Sequence, residues 1–216
     1  MKNVPKTRLD EFVGACYTTA RHGLVRCSSG NLSQRIDKGR MLATSSRSWM
    51  STITRDQVSV CRIRDGKRLA GPKQTVEIEF HAGILHARPD VNFVLHFQSP
   101  CATTLACRPR KNTNYFVIPE IPFYIGLVGH VPYLSPGTSE LAHVIVEEAR
   151  KRDLVVMGNH GLVTMGGNFE HALQNAEFFE LACHIILHGG KSVKPIPKAL
   201  AEELLALRKK PEKSSV

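Results

Sequence analysis

Glu77, His96 and His160 lie in three short segments, TVEIEFH, FVLHFQSP and MGNHGLVTMGG, and combine the residue types that hold a divalent cation beside a carboxylate base. Imidazole nitrogen and carboxylate oxygen suit zinc, and a catalytic zinc commonly keeps three protein ligands plus one open position for water or substrate. Each residue also has a plainer explanation. Glu77 follows Pro72, Lys73, Gln74 and Thr75 at the start of a helix, where negative charge complements the helix dipole and Glu79 would serve equally. His96 closes an apolar strand just before a Ser-Pro helix start, a position from which a rigid scaffold presents functional groups, with a core histidine as the competing account. His160 stands between Asn159 and Gly161 at a turn joining two strands, where an incidental histidine is common. It is the three together that point to metal and base. His81, one helical turn after Glu77, is expected to support that residue, whereas His86 is expected at the surface. His22, His130, His143, His171, His184 and His188 lack comparable settings and are assigned to surface or packing.

Anion recognition is a second theme. SSGN at 28–31 and TSSRS at 44–48 are hydroxyl-rich turns able to offer backbone N–H groups and hydroxyls to a phosphate, and Arg47 and Lys73 would make such a pocket positive. Neither turn matches a Walker loop or a dinucleotide fingerprint, and ordinary turns share the composition.

Helices and strands must carry these groups. Leu9, Phe12, Val13, Cys16 and Ala20 recur at helical spacing before Gly23, predicting a helix from about residue 8 to 22. NLSQRI, MLAT and QVSVCRI, separated by turns such as DKG and RDGK, predict an antiparallel meander. TVEIEFHAGILHAR reads as a helix stopped by Pro89, VNFVLHF as a buried strand, PCATTLAC as a short helix, and Tyr115 to Tyr133 as strands among prolines. GTSELAHVIVEEARKR is expected to form a helix with a Ser or Thr cap and a basic last turn. DLVVMG and GLVTMGG follow as strands, then a long helix from about Asn168 to His188, then a last helix near Pro197. Without strict β-α-β alternation, the pattern implies a largely antiparallel central sheet covered by helices, in the α/β or α+β range.

At 216 residues the chain suits one domain, 1–216, with a basic tail at about 208–216. A 42% apolar and 22% charged composition excludes disordered and fibrous classes. Apolar runs are too short to cross a bilayer and the first residues lack a signal-peptide core, so a cytoplasmic protein without membrane contact is expected. Six scattered cysteines without C-x-x-C spacing indicate neither disulfides nor a cysteine zinc site. The net charge of +10 comes without a nucleic-acid motif. RPRKN at 108–112 and the tail carry part of it as solvated charge, and the remainder suits an anionic small substrate, so no nucleic-acid partner is expected.

The blocks HGLVRCSSGNLSQR, MLATSS, KQTVEIEFHAGILHARPDVNFVLH, VPYLSPGTSEL and MGNHGLVTMGGNFEHAL, in this order over most of the chain, resemble the class II aldolase and adducin family, in particular its branch acting on L-fuculose 1-phosphate. The resemblance implies a three-layer α/β/α domain around a mainly antiparallel sheet. It implies a homotetramer with interfacial active sites, and one Zn2+ per subunit. It also implies reversible cleavage of a ketose 1-phosphate to dihydroxyacetone phosphate and lactaldehyde, with sugar-phosphate 4-epimerase, dehydratase and non-catalytic adducin-like members as alternatives. Position by position, Glu77 matches the catalytic acid/base and a further potential ligand, and His96 and His160 match two zinc histidines. Gln98 stands where a third imidazole is expected, and its neutral amide is the poorer zinc ligand. Gly30, Asn31, Ser46, Arg47, Thr75 and Val76 match phosphate-pocket positions. Arg47 departs from a usual glycine there, and Val76 from a common serine. For the family's catalytic tyrosine, Tyr115, Glu120 and Tyr124 remain alternatives.

Overall fold

A computed structural model describes residues 4–108 and 113–208; most of RPRKN and of the basic tail lies outside the described residues. Its centre is an eight-stranded sheet in the order β4-β3-β2-β1-β5-β8-β7-β6. The strands are β1 (Asn31–Arg35), β2 (Arg40–Thr44), β3 (Val58–Arg62), β4 (Arg68–Ala70), β5 (Phe93–Phe97), β6 (Gly129–Val131), β7 (Leu154–Met157) and β8 (Gly161–Gly166). Every neighbouring pair is antiparallel except β6 and β7. The helices are α1 (Lys6–Arg21), α2 (Ile78–Ala87), α3 (Pro100–Ala106), α4 (Ser139–Ala149), α5 (Phe169–Gly189) and α6 (Lys198–Arg208).

Alternation along the central strands feeds two separate cores, because successive side chains leave a strand on opposite faces. Leu95, Phe97, Leu154, Val156 and Leu162 join α1, α3 and α5 on one face. Val94, Val155, Met157, Val163 and Met165 join α2 and α4 on the other. The sheet is thus the middle of three layers, as expected. Few residues of β5, β7 and β8 are anything but apolar, which is the mark of strands covered on both sides.

Two expectations need correction. Between Tyr115 and Tyr133 only Gly129–Val131 is a strand, and Ile121–Ile125 instead curls into one π-helical turn closed by Gly126 N–H to the Ile121 carbonyl at 2.7 Å. Pro119 and Pro122 have no N–H to give a sheet ladder, and Gly126, at φ +77°, ends the turn in a conformation open to glycine. Helix α4 does take its cap from Thr138, whose hydroxyl accepts from Leu141 N–H, but it ends at Ala149 before the basic residues, so its last turn is not basic. The short polar edge strand β4 carries too little apolar pattern to be read from sequence.

Candidate metal and acid–base centre

The strands and helices above bring the carboxylate and both imidazoles to one end of the sheet. Residue 96 is the penultimate position of β5, and Asn31 at the start of β1 is its register partner. His160 closes the turn from β7 into β8, where Asn159 takes a positive φ of +52°. Glu77 is the N-cap residue of α2, yet its side chain makes no cap bond. It turns inward instead, leaving exposed Glu79 to complement the dipole.

Glu77 Oε1 lies 3.3 Å from His160 Nε2, and Oε2 lies 3.5 Å from His96 Nε2. Among the described residues these three form the one group of at least three His, Cys, Asp or Glu side chains whose ligand atoms all fall within 4.8 Å of one another. His96 Nδ1–H donates to the Leu162 carbonyl at 2.9 Å, which leaves the Nε2 lone pair facing the carboxylate. Glu77 Oε1 and His160 Nδ1 are buried without a hydrogen-bond partner among the described residues. A tautomer-fixed imidazole, a second neutral imidazole and a carboxylate oxygen without a hydrogen bond fit a divalent cation. Burial, reinforced by the neighbouring His96, lowers the His160 pKa and favours the neutral ligand form. For Glu77 burial works upward, but His96, the Asn31 amide, His160 and His81 outweigh it and keep the carboxyl below its usual range.

A cleft of about 370 Å³ opens over the trio and is lined by every residue singled out as a substrate or metal contact: Gly30, Asn31, Ser46, Arg47, Thr75, Val76 and Gln98. Two close approaches build its walls. A β-carbon on Gly30, at φ +75°, would come within 2.4 Å of Val25 and 2.8 Å of the His96 carbonyl. One on Gly161 would meet the Phe97 carbonyl at 2.7 Å and Gln98 Cγ at 2.8 Å. Ser46 N–H donates to the Lys73 carbonyl and Thr75 N–H to the Thr44 carbonyl, which ties the two hydroxyl-bearing segments together. Lys73 itself is exposed and outside the cleft lining.

Three features were not read from sequence in full. Asn31 uses its side chain within the protein: Nδ2 donates to Glu77 Oε2 at 2.8 Å, and Oδ1 meets His81 Nε2 at 2.5 Å. His81 is fully buried and reaches Glu77 through that amide; only its spacing of four residues signalled a link. Ser33, at 2.7 Å from His81 Nδ1, gave no signal beyond strand alternation. None of Tyr115, Glu120 and Tyr124 lines the cleft. Tyr115 is packed on Phe179 and His130, and Tyr124 lines a groove at the other end of the sheet with Asp153 and Arg208.

The chain is similar in sequence and in fold to known proteins. The family model "Class II Aldolase and Adducin N-terminal domain" matches residues 10–187. The 3-oxo-tetronate 4-phosphate decarboxylase of Escherichia coli K12 is 29% identical over 208 residues, covering 95% of this chain and 97% of that enzyme. The L-fuculose phosphate aldolase of the same strain is 27% identical over 205 residues, covering 93% and 92%. Among solved structures, YgbL, a putative aldolase/epimerase/decarboxylase from Escherichia coli, superposes with a TM-score of 0.87 at 25% identity, covering 92% of this chain and 98% of that one.

Proposed function

The chain belongs to the class II aldolase and adducin family, and from that premise we propose that it decarboxylates a phosphorylated 3-oxo sugar acid, 3-oxo-tetronate 4-phosphate or a close analogue, to dihydroxyacetone phosphate. Two relatives with different names support one intermediate. Loss of CO2 from C2 of a 3-oxo-tetronate 4-phosphate leaves the C1–C2 electron pair in a C2–C3 enediolate. Retro-aldol cleavage of a ketose 1-phosphate between C3 and C4 leaves the same three-carbon enediolate. Protonation at carbon then gives dihydroxyacetone phosphate in both cases.

What separates the two reactions is the departing group. An aldehyde leaves only if the hydroxyl on the departing carbon gives up its proton, which calls for a base on that side of the substrate besides the one at the enediolate carbon, whereas a carboxylate leaves as CO2 already deprotonated. Among the described residues the cleft is lined by no tyrosine, lysine or cysteine, and by one carboxylate. That single-carboxylate lining is the observation that carries the decarboxylase reading. Glu77, held ionised by its neighbours, takes a proton from solvent and passes it to the enediolate carbon from the bare Oε1. His96 and His160, with Gln98 beside them, would hold the divalent cation, proposed as zinc, which supplies Lewis acidity at the carbonyl oxygen. Gly30, Asn31, Ser46, Arg47, Thr75 and Val76 frame the phosphate end, the first two and Thr75 through backbone and hydroxyl groups and Arg47 through charge. The working unit is a homotetramer with the cleft at a subunit boundary; the 56% exposure of Val76 on its lip and the 50% exposure of Trp49, just past Ser48, supply apolar area for a neighbour.

The second reading, cleavage of L-fuculose 1-phosphate to dihydroxyacetone phosphate and lactaldehyde, is favoured by the aldolase relative's coverage of 92% of its length. A neighbouring subunit would then supply the missing base. Incubating the purified protein with each substrate, and following triose phosphate, CO2 and lactaldehyde separately, tests both. Triose phosphate with CO2 from the keto acid alone is expected; triose phosphate with lactaldehyde from the ketose alone would replace the first reading with the second.

A further inference from the structure

Ser33, His81 and Asn31 form a buried line of hydrogen bonds that ends on Glu77 Oε2. Each of the three is at most 7% exposed, and none of the three lies on a loop: Asn31 and Ser33 face α2 from alternate positions of β1, and His81 sits one turn into α2. Such a line runs in one direction only. An ionised carboxylate accepts, so Asn31 must present its NH2 to Glu77 and its oxygen to His81. His81 must then carry its proton on Nε2 and accept at Nδ1 from the Ser33 hydroxyl. The ring is clamped in plane by Phe80, stacked at 4.6 Å with an interplanar angle of 23°. Burial pulls the His81 pKa down to about 3, so a neutral ring, with one donor and one acceptor, is what the line requires and what it gets.

We infer that Ser33 and His81 are positioning residues for the acid–base step: they fix which face of the Asn31 amide meets Glu77, and so make the two carboxylate oxygens unequal. Oε2 is braced by an N–H, while Oε1, 3.3 Å from His160 Nε2 but without a hydrogen bond among the described residues, is the oxygen free to carry a proton or meet a cation. Were the amide reversed, oxygen would face oxygen and the carboxylate would rotate away or be protonated. The fold alone gives no reason for the line, since buried polar groups that are merely satisfied can be exchanged for apolar ones of similar shape at little cost. The inference rests on the assignment of Glu77 as the proton carrier, which Glu77→Gln tests independently.

Two measurements decide it. Long-range ¹H–¹⁵N spectra of the full-length protein labelled at histidine are expected to show His81 neutral and protonated at Nε2, with no activity needed for the readout; protonation at Nδ1 would reverse the line and overturn the proposal. Kinetics of His81→Leu are expected to show kcat reduced by about 10–100-fold, as for other partners that orient a reacting group, with KM nearly unchanged. His81→Gln, which restores an N–H toward Asn31, is expected to recover part of kcat. Wild-type kcat in folded His81→Leu, or a loss confined to KM, would overturn it. If His81→Leu does not fold, the glutamine variant decides with the spectra: no change of the kcat/KM split there would count against a positioning role.

Discussion

The two ends of the sheet treat buried charge in opposite ways. At the far end from the cleft, where α2 finishes and β5 and β7 begin, Arg88 binds Asp90 in a fork, donates to Asp153 at 2.9 Å and donates to the Ala149 carbonyl, and Arg208 pairs with Asp153 as well. Charge there is matched by charge. The Asp90 hydrogen bonds raise the Arg88 pKa, and the Arg88 guanidinium holds Asp90 below the usual carboxylate range. At the cleft end the carboxylate of Glu77 is buried more deeply and, among the described residues, has no lysine or arginine partner; it faces two imidazoles and one amide, and one oxygen is left without a hydrogen bond. One helix, α2, joins both arrangements, with Glu77 at its start and Arg88 at its C-cap. Pairing of the first kind holds elements together; incomplete pairing of the second kind leaves an atom able to react.

The largest effect follows from removing the bare oxygen. Glu77→Gln is expected to lower kcat by about 10²–10⁴-fold, the range for loss of a positioned acid or base, without loss of fold. Its thermal midpoint should be slightly below the wild type, because the neighbours that keep the carboxyl below its usual range favour the ionised side chain in the folded state. Steady-state rates and a thermal melt on one preparation check both halves. A variant that keeps its rate, or one that loses its fold, would show that the cleft end is built like the far end.

Arg88→Ala should give the reverse pattern. Arg88 is 19% and Asp153 16% exposed at the side chain, so deletion leaves a mostly buried carboxylate short of a partner. The expected loss is about 2 kcal/mol, or roughly 4–8 °C in Tm, discounted for Arg208, which still reaches Asp153. Turnover of the folded protein should stay close to wild type, since the substitution sits at the opposite end of α2 from Glu77. Denaturant melts with kcat measured below the transition test it; a fall in kcat at unchanged stability would join the two ends functionally.

This contrast also explains what could be read from the amino-acid order. Residues whose periodicity repeats along an element were legible: Leu9, Phe12 and Cys16 in α1, a Ser or Thr cap on α4, and VNFVLHF as a buried strand, whose Val94 and Leu95 enter different cores. The segments holding Glu77, His96 and His160 were legible because each sits at an element's end and carries a rare combination of types. Their convergence is a product of register, Asn31 against His96 and β5 against β8, which no local pattern states. Ser33 was invisible because a serine in a strand has the same signature whether it faces solvent or a buried histidine. Tyr115 to Tyr133 misled because tyrosine, valine and isoleucine favour strands, while Pro119 and Pro122 remove the donors a ladder needs.

The smallest effect concerns Arg47 and separates strain from pairing at the cleft end. Ser48 N–H closes a turn on the Ser45 carbonyl at 3.3 Å, which puts Arg47 at the third position of the turn with φ +63°. That conformation is natural for glycine and costs a side chain roughly 1 kcal/mol. The exposed guanidinium has no carboxylate partner among the described residues, and it lines the cleft. Arg47→Gly relieves the backbone while giving the unfolded chain more freedom, so a net gain of about 0.5 kcal/mol in stability is expected. If the guanidinium holds the substrate's phosphate, the same variant should raise KM about tenfold, the worth of one exposed charge-assisted contact, and leave kcat nearly unchanged. A melt that shifts upward together with a higher KM means that the cleft end keeps a strained turn for binding. A KM equal to wild type would remove Arg47 from the phosphate site and leave its left-handed backbone unexplained by function.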